Sequence, residues 1–444
     1  MAYRNAYNKN FGTLGVAVAQ SWPERDIIKA KGKRKHTLGL ALSGGGYRSA
    51  IYNYGVLSGL YEIGVIPRID YLSVVSGGSW MGTAFSMTKS MEWFFRRTWT
   101  SNRPNFIEEG FESLLPHPGR VLQEAALARK NVNYASNIYG RLLAKTFLRE
   151  HGDLSRYKPL SDGALVRDKD RPFLIINGTV YFRRPKRFEV TQECFEMTRL
   201  YCGSRSLGYL DTPSLRAPDY PIRIRDAIAV SGAAVSLHIP GLGSEVLGLG
   251  LSREVKNYTL RLRVPRPGMP DAAHLDLADG GFYNNLGVES LIHRGCRYII
   301  VVDAEHDPEK PKTKTRSNQG YSGLRTLLKR HHIPMSLKQG MIATLDRADE
   351  AVHIIPNRDP KLPDVLYIKL KSSKHFDRVA SKEDYNQPGF LQNLFRRGKF
   401  SFNPQFSTAK LDYDFAEHRN LSELGRFEVL KHKALIKRFA ARST

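Results

Sequence analysis

The sequence predicts an α/β fold in which helices flank a mostly parallel central sheet. Two apolar runs, Leu38–Leu42 and Tyr71–Val75, are each followed by a glycine-containing turn and then by a helix-like stretch. This order of strand, turn and helix is typical of a βαβ unit with parallel strands. A third apolar run, residues 297–303 (RYIIVVD), is typical of a strand buried on both faces. Strands that alternate with helices indicate a three-layer sandwich.

The first turn consists of Ser43 and three consecutive glycines, Gly44, Gly45 and Gly46. Glycines let the backbone adopt positive φ and approach a ligand closely. A helix is predicted from about Tyr47, so the glycine N–H groups lie at a helix N-terminus, which favours negative charge. The turn therefore indicates a site for a phosphate or for the oxyanion of an acyl-transfer intermediate, although three glycines alone are also consistent with a simple tight turn.

The second turn places a serine between a strand and a helix. Residues 74–78 read VVSGG, close to the nucleophile-elbow motif G-x-S-x-G. Gly78 fits the motif, but Val74 stands where the leading glycine is expected. We interpret Ser76 as a nucleophile, with helix capping as its alternative. Ser79 is a less favoured nucleophile, because Met81 occupies the position where the motif requires the trailing glycine.

Three segments in this order resemble a known family. SGGGYRS at residues 43–49 is followed by SVVSGGSW at 73–80 and by DGG at 279–281, and residues 227–234 (AIAVSGAA) resemble a helix start that lies between the catalytic blocks. Together they resemble the patatin-like phospholipases. The SGGGYR and SGGSW spellings are most similar to the cytosolic phospholipase A2 branch.

The resemblance implies a lipid acyl hydrolase with a serine–aspartate dyad, no histidine and no cofactor or metal. In this sequence the implied nucleophile is Ser76 and the implied base is Asp279. The implied oxyanion hole consists of Gly44, Gly45 and Gly46. The resemblance also suggests that Arg48 binds the substrate phosphate, a task to which a guanidinium is suited because it forms paired hydrogen bonds.

The same residues are also consistent with other functions. A Ser-Asp-His triad esterase could use His306, which follows the strand at 297–303. A non-catalytic anion- or nucleotide-binding protein could use the glycine turn, although Gly44–Gly46 matches neither the dinucleotide fingerprint nor the phosphate-binding loop. A catalytically inactive lipid-binding relative would explain Val74. Asp279 could be an ordinary turn residue, and Arg48 could be a surface or salt-bridging arginine.

The rest of the chain completes the predicted organisation. Residues 1–36 are expected to be a basic, irregular lead-in and residues 37–444 one catalytic domain, with 90–225 inserted as a helical cap. Within this domain, further strands are predicted at 173–180, 187–191, 258–264 and 274–277. Further helices are predicted at 225–230, 286–293, 320–350 and 411–440.

The charge balance indicates an anionic partner. Lys and Arg number 68 against 43 Asp and Glu, which gives a formal net charge of +25. Basic clusters lie around residues 29–35, 183–187, 310–316 and 431–438. We expect association with an anionic phospholipid membrane surface. Specific nucleic-acid binding is not expected, because no zinc-finger, basic-zipper or ribonucleoprotein signature is present. Protein partners cannot be predicted.

Composition also bears on location. The chain has three cysteines, Cys194, Cys202 and Cys296, without metal-ligand spacing, which favours a reducing compartment. No secretory signal is visible at the polar N-terminus, and no stretch is apolar enough for a membrane span. We therefore expect a cytoplasmic protein that associates peripherally with membranes.

Overall fold

The computed structural model describes a set of ranges that together contain the core of the fold. These ranges are 22–29, 36–88, 91–95, 140, 143–144, 147–148, 161, 171–183, 190–205, 208–214, 222–232, 260–264, 273–305, 351–357, 362–371, 376–377, 404 and 415–443.

Strands and helices alternate along the described residues. The strands are β1 (Leu38–Leu42), β2 (Tyr71–Val75), β3 (Phe173–Arg183), β4 (Val190–Met197), β5 (Tyr201–Ser204), β6 (Gly208–Asp211), β7 (Leu260–Val264), β8 (Ala273–Asp279), β9 (Tyr298–Asp303), β10 (Val352–Ile355) and β11 (Asp364–Lys369). The helices are α1 (Arg25–Lys29), α2 (Gly46–Glu62), α3 (Gly77–Met87), α4 (Met91–Phe94), α5 (Ile224–Ser231), α6 (Gly281–Asn284), α7 (Glu289–His293), α8 (Phe415–Lys431) and α9 (Lys433–Ala441).

All the described strands belong to one sheet, whose centre is parallel. Its main path runs β10-β11-β9-β1-β2-β3-β4-β5-β6, with β8 pairing β3 and β7. The strands from β11 to β3 along this path are mutually parallel, whereas the remaining pairings are antiparallel. The predicted α/β fold with a parallel centre is therefore confirmed, and its antiparallel margins make the whole sheet mixed.

Alternating residues of the central strands fill two cores, one on each face of the sheet. Leu38, Leu40 and Leu42 of β1 pack with the helices α2, α3, α5 and α8, whereas Ala41 packs on the opposite face with α7. Because successive strand residues point to opposite faces, a strand buried on both sides must be apolar throughout. The layered arrangement predicted from the alternation of strands and helices is confirmed.

Strand β3 is longer than its central neighbours and has two partners on one edge. Residues 173–177 pair with β2, and residues 178–181 pair with β8. The opposite edge of β3 is occupied by β4. Consequently β2 and β8 meet end to end along β3, and the residues that follow β2 lie beside the last residue of β8.

The predicted cap boundaries include part of the sheet. Strands β3 to β6, all within residues 90–225, are strands of the central sheet and not of a cap. Most of residues 96–170 lie outside the described residues, so a cap in that portion stays a prediction. The predicted strand at 187–191 is observed later, as Val190–Met197, and the predicted helix at 320–350 lies outside the described residues.

Part of the predicted lead-in is packed against the domain. Arg294 is fully buried and donates hydrogen bonds to Glu24 and Glu196, at 2.9 Å and 2.8 Å for the shortest N–O pairs, and its guanidinium lies 4.2 Å from the Trp22 ring centroid. Burial alone would raise the pKa of Glu196, but the Arg294 charge and hydrogen bonds from Arg294 and Ser290 together hold that pKa below its usual value. This cluster fixes residues 22–29 to α7 and β4.

The described residues contain no membrane-spanning candidate and no disulfide. None of the helices in the ranges given above is long and apolar enough to cross a bilayer. Cys194, Cys202 and Cys296 are all buried free thiols.

Helix α2 crosses α8 at a glycine contact. A Cβ atom added to Gly55 would lie 1.8 Å from the backbone oxygen of Ser422. Across the same contact, a Cβ atom on Gly425 would lie 2.6 Å from the backbone oxygen of Tyr52. The two helix backbones therefore approach as closely as their glycines allow.

Gly55→Ala is expected to lower the free energy of unfolding by about 1–3 kcal/mol, because the new methyl group overlaps a backbone atom that cannot rotate away. Urea unfolding measures the change. Gly59→Ala is a graded comparison, since its methyl group would meet the Val429 side chain at 2.7 Å, and we expect a smaller loss. Stabilisation of both variants, as for an ordinary helical glycine, would contradict the close crossing.

Candidate active site

Ser76 occupies a strained turn between β2 and α3. Its φ is 49° and its ψ is −125°, and it is the only non-glycine residue with positive φ in the described part of the chain. Such a conformation costs about 1–3 kcal/mol and persists only where the surroundings enforce it. The backbone at Ser76 therefore has the geometry of a nucleophile elbow, which presents the serine at the carboxyl end of a strand.

The elbow forms although its leading glycine is replaced by Val74. Val74 is fully buried, and a Cβ atom on Gly82 would lie 2.5 Å from its Cγ1. The space that the motif normally obtains from a glycine on the strand is supplied here by a glycine on α3. Val74, which departs from the sequence motif, is thus accommodated by Gly82 in α3.

The two turns contact each other directly. Gly45 and Gly46 have φ values of 138° and 63°, which an L side chain rarely adopts. A Cβ atom on Gly77 would lie 1.9 Å from the Gly46 oxygen. The turns are also joined by an aromatic contact just beyond them, since the rings of Tyr47 and Trp80 lie 5.2 Å apart, edge to face. Helices α2 and α3 therefore begin side by side at the carboxyl edge of the sheet.

Gly44 and its two neighbours differ in their hydrogen bonding. The Gly44 N–H donates to the backbone oxygen of Asn285 at 2.9 Å. Gly44 therefore does not offer an oxyanion donor in this structure, which corrects that part of the sequence prediction. The N–H groups of Gly45 and Gly46 have no acceptor among the described residues, and they lie at the start of α2, where the helix dipole favours negative charge.

Asp279 ends β8 beside the elbow. On β3, Asn177 pairs with Val75 and the next residue, Gly178, pairs with Asp279. The Asp279 side chain is buried, and its Oδ1 accepts the Gly281 N–H at 2.6 Å. The register thus brings the predicted nucleophile and the predicted base to adjacent positions, although they lie far apart in the sequence.

Ser231, the last residue of α5, is a site residue that sequence reasoning did not identify. Its Oγ accepts the Ser76 N–H at 2.9 Å and donates to the Asn177 oxygen at 2.7 Å. Its own backbone oxygen accepts the Gly280 N–H at 3.2 Å. The signal available in the sequence was the small-residue segment at 227–234, which marked the helix but not the role of this hydroxyl.

Arg48 is fully buried within α2. Its Nε and Nη2 donate to the backbone oxygen of Ala304, at 3.1 Å and 2.9 Å. Ala304 follows β9, so this contact ties the helix after the glycine turn to a neighbouring strand. Phosphate binding by Arg48 stays a prediction, and the observed contact favours a role in holding the turn in place.

The alternative catalytic groups differ in their surroundings. Ser79 is fully buried and its hydroxyl donates to the Ser76 oxygen at 2.6 Å, so it stabilises the elbow. His306, required by the triad hypothesis, lies outside the described residues. Across the described ranges no group of three His, Cys, Asp or Glu side chains could hold a metal ion.

A serine elbow beside a glycine turn, at the carboxyl edge of a parallel sheet, defines the class of α/β proteins to which serine ester hydrolases belong. The family model of the patatin-like phospholipases matches residues 40–292, which is more than half of the chain. The chain therefore belongs to the patatin-like phospholipase family.

Solved structures share the fold of this chain. Human GIVD cytosolic phospholipase A2 matches all of it with a TM-score of 0.60 at 15% identity. Its complex with methyl gamma-linolenyl fluorophosphonate gives a TM-score of 0.58. In both cases the chain covers 64% of that protein. At this level of identity the likeness establishes the fold alone.

Curated relatives match shorter segments. Lysophospholipase 1 of Candida albicans is 26% identical over 164 residues, which are 32% of this chain and 26% of that protein. The putative meiotic phospholipase SPO1 of Saccharomyces cerevisiae is 43% identical over 44 residues, 10% of this chain and 7% of that protein. The chain thus spans only a minor part of the length of these relatives.

Proposed function

We propose that this protein is a lipid acyl hydrolase that cleaves fatty-acyl esters of phospholipids or lysophospholipids at membrane surfaces. The observation that carries the proposal is the meeting of β2 and β8 on β3, which sets the Ser76 elbow beside Asp279. The family membership and the phospholipase names of its relatives support the same reaction class.

In the first half of the reaction, the Ser76 Oγ attacks the ester carbonyl carbon and its proton passes to Asp279. The carbonyl oxygen becomes an oxyanion, which the N–H groups of Gly45 and Gly46 stabilise. Asp279 then gives the proton to the departing alcohol oxygen as the carbon–oxygen bond breaks. The products of this half are a Ser76 acyl ester and a free alcohol, which is a lysophospholipid when the substrate is a phospholipid and a glycerophosphodiester when it is a lysophospholipid.

In the second half, water attacks the acyl ester and Asp279 accepts one of its protons. The same two N–H groups stabilise the second oxyanion. Ser76 leaves, recovers a proton from Asp279 and releases the fatty acid. A single carboxylate can serve both halves because it accepts and returns one proton in each.

The proposed surface is an anionic membrane. The net charge of +25 attracts anionic headgroups. In the described part of the chain, the last residue of α8 and helix α9 carry exposed Lys431, Lys433, Lys437 and Arg438. Ser443, two residues after α9, accepts the His36 N–H, so the carboxyl end of α9 lies at the end of the sheet opposite Ser76. The anionic-surface proposal therefore rests on the net charge and not on these residues.

Ser76→Ala and Asp279→Asn are each expected to lower acyl release from mixed phospholipid vesicles by at least about 10³-fold, since one removes the nucleophile and the other the base. Mass spectrometry of released fatty acid measures the loss. Ser86→Ala is the matched control: Ser86 is also buried, but among the described residues its hydroxyl bonds only to the Gly82 oxygen within α3, and full activity is expected.

His306→Ala separates the dyad from a triad. An active His306→Ala protein supports the dyad, whereas a folded but inactive one favours the triad. Wild-type protein that releases nothing from any lipid would contradict the proposed activity and leave a non-catalytic lipid- or anion-binding protein.

Replacing zwitterionic vesicles by vesicles with about 30% anionic lipid is expected to increase binding. The increase should shrink on going from about 0.05 M to 0.5 M salt, because salt screens the headgroup attraction. Vesicle co-sedimentation of Ser76→Ala measures binding without turnover. Equal binding to both vesicle types at low salt would refute the anionic surface.

Arg48→Lys is expected to lower turnover of a phospholipid and of the phosphate-free ester p-nitrophenyl butyrate by a similar factor, about 10-fold or more, because a paired contact to Ala304 is lost. Arg68→Lys, before β2 and away from the site, is the control. A selective loss with the phospholipid would instead support contact between Arg48 and the substrate phosphate.

A further inference from the structure

Ser231 connects the two halves of the proposed dyad. Its side chain is fully buried at the end of α5. The hydroxyl oxygen accepts the backbone N–H of Ser76, and the hydroxyl proton is donated to the Asn177 oxygen. The Ser231 backbone oxygen accepts the N–H of Gly280, the neighbour of Asp279. One residue therefore contacts the elbow, strand β3 and the aspartate loop.

We propose that Ser231 is a positioning residue for the acylation of Ser76, whose hydroxyl holds the strained elbow peptide in register with Asp279. This inference rests on the proposed function, because it concerns the reactivity of the same serine. It assigns to α5 a role in the reaction beyond its contribution to the core.

The strain at Ser76 explains why such a contact is needed. A non-glycine residue at φ 49° relaxes unless its flanking peptides are held. The Ser231 hydroxyl restrains the peptide that precedes the Ser76 Cα, and rotation of that peptide would move Oγ away from Asp279. A shift of about 1 Å at a reacting atom is enough to lower a rate by about two orders of magnitude.

The two hydrogen bonds at position 231 restrict which side chains can make them. The position needs one group that accepts from a backbone N–H and donates to a backbone oxygen at the same time, in a space for a small side chain. A hydroxyl does both, whereas a methyl group does neither. Loss of the hydroxyl would leave two buried backbone groups unsatisfied, next to the reacting atom.

The packing of α5 does not depend on this hydroxyl. Ala227, Ile228 and Val230 of the same helix are fully buried in the main core. The helix is therefore held mainly by apolar contacts, and removal of one oxygen at its end should alter the elbow more than the fold.

The test compares Ser231→Ala with the pair Ser231→Thr and Ser231→Val. Threonine and valine have nearly the same shape, so this pair isolates the hydroxyl. Labelling by an alkyl fluorophosphonate probe reports Ser76 reactivity: the Ser76 oxygen bonds to phosphorus, fluoride leaves, and the serine proton passes to Asp279. Hydrolysis of p-nitrophenyl butyrate gives kcat and KM separately.

We expect Ser231→Ala and Ser231→Val to label about 10- to 100-fold more slowly than wild type. Their kcat should fall by a similar factor while KM stays within about 2-fold, because the loss concerns a step after binding. Ser231→Thr should retain labelling within about 3-fold, since its hydroxyl can make both bonds. Thermal unfolding confirms that each variant is folded at the assay temperature.

The outcomes distinguish this inference from the proposed function. Wild-type labelling rates in Ser231→Ala and Ser231→Val, with Ser76→Ala unlabelled, would overturn the role of Ser231 and leave the nucleophile in place. Equal labelling of wild type and Ser76→Ala would overturn both. Equal loss in Ser231→Thr and Ser231→Val would show that shape, not the hydroxyl, matters, and would also overturn the role. If Ser231→Ala fails to fold, the threonine–valine comparison decides.

Discussion

The site depends on how one edge of β3 is divided between two partners. The first residues of β3 pair with the parallel strand β2, and the following residues pair with the antiparallel strand β8. Strands β2 and β8 lie on the same edge of β3 and run towards each other, so β2 ends where β8 ends. Ser76 and Asp279 occupy that junction, so their proximity follows from the sheet register.

A buried polar network supports the junction. The Asn177 side-chain amide donates to the Ser73 hydroxyl at 2.8 Å and to the Val74 oxygen at 2.9 Å. Its Oδ1 accepts the Ser290 hydroxyl at 2.7 Å and the Cys194 thiol at 3.3 Å. A buried network in which each group has a partner specifies one arrangement. Asn177 thus connects β2, β4 and α7 beneath the site, while its backbone oxygen connects to α5.

Much of the fold could be predicted from local pattern. Strands β1 and β2 were predicted with the bounds that the structure shows, since each is an apolar run ended by a glycine turn. Strands β5, β6 and β10, each four residues long, were not predicted, because short strands near a sheet margin are selected by their neighbours more than by their own residues. Strand β11, which is six residues long and buried, was not predicted either.

The candidate site was predictable only where its residues stand in short motifs. The Ser231 hydroxyl bonds to a backbone N–H 155 positions away, and a sequence does not show which distant group a serine meets. The three glycines look alike in sequence, yet of the three N–H groups only that of Gly44 donates a hydrogen bond to the backbone oxygen of Asn285. Val74 suggested a defective motif because the compensating glycine lies on the next helix.

The division of β3 also has a consequence for when the proposed site is assembled during folding. The elbow and the glycine turn belong to one local βαβ unit, which can form early because its contacts are close in sequence. The aspartate arrives only with β8, whose pairing with β3 is non-local and therefore slow. Ser231, which bonds to the Ser76 N–H, also lies outside that first unit. Folding of the first βαβ unit alone therefore does not assemble the proposed site, which requires β3, α5 and β8 as well.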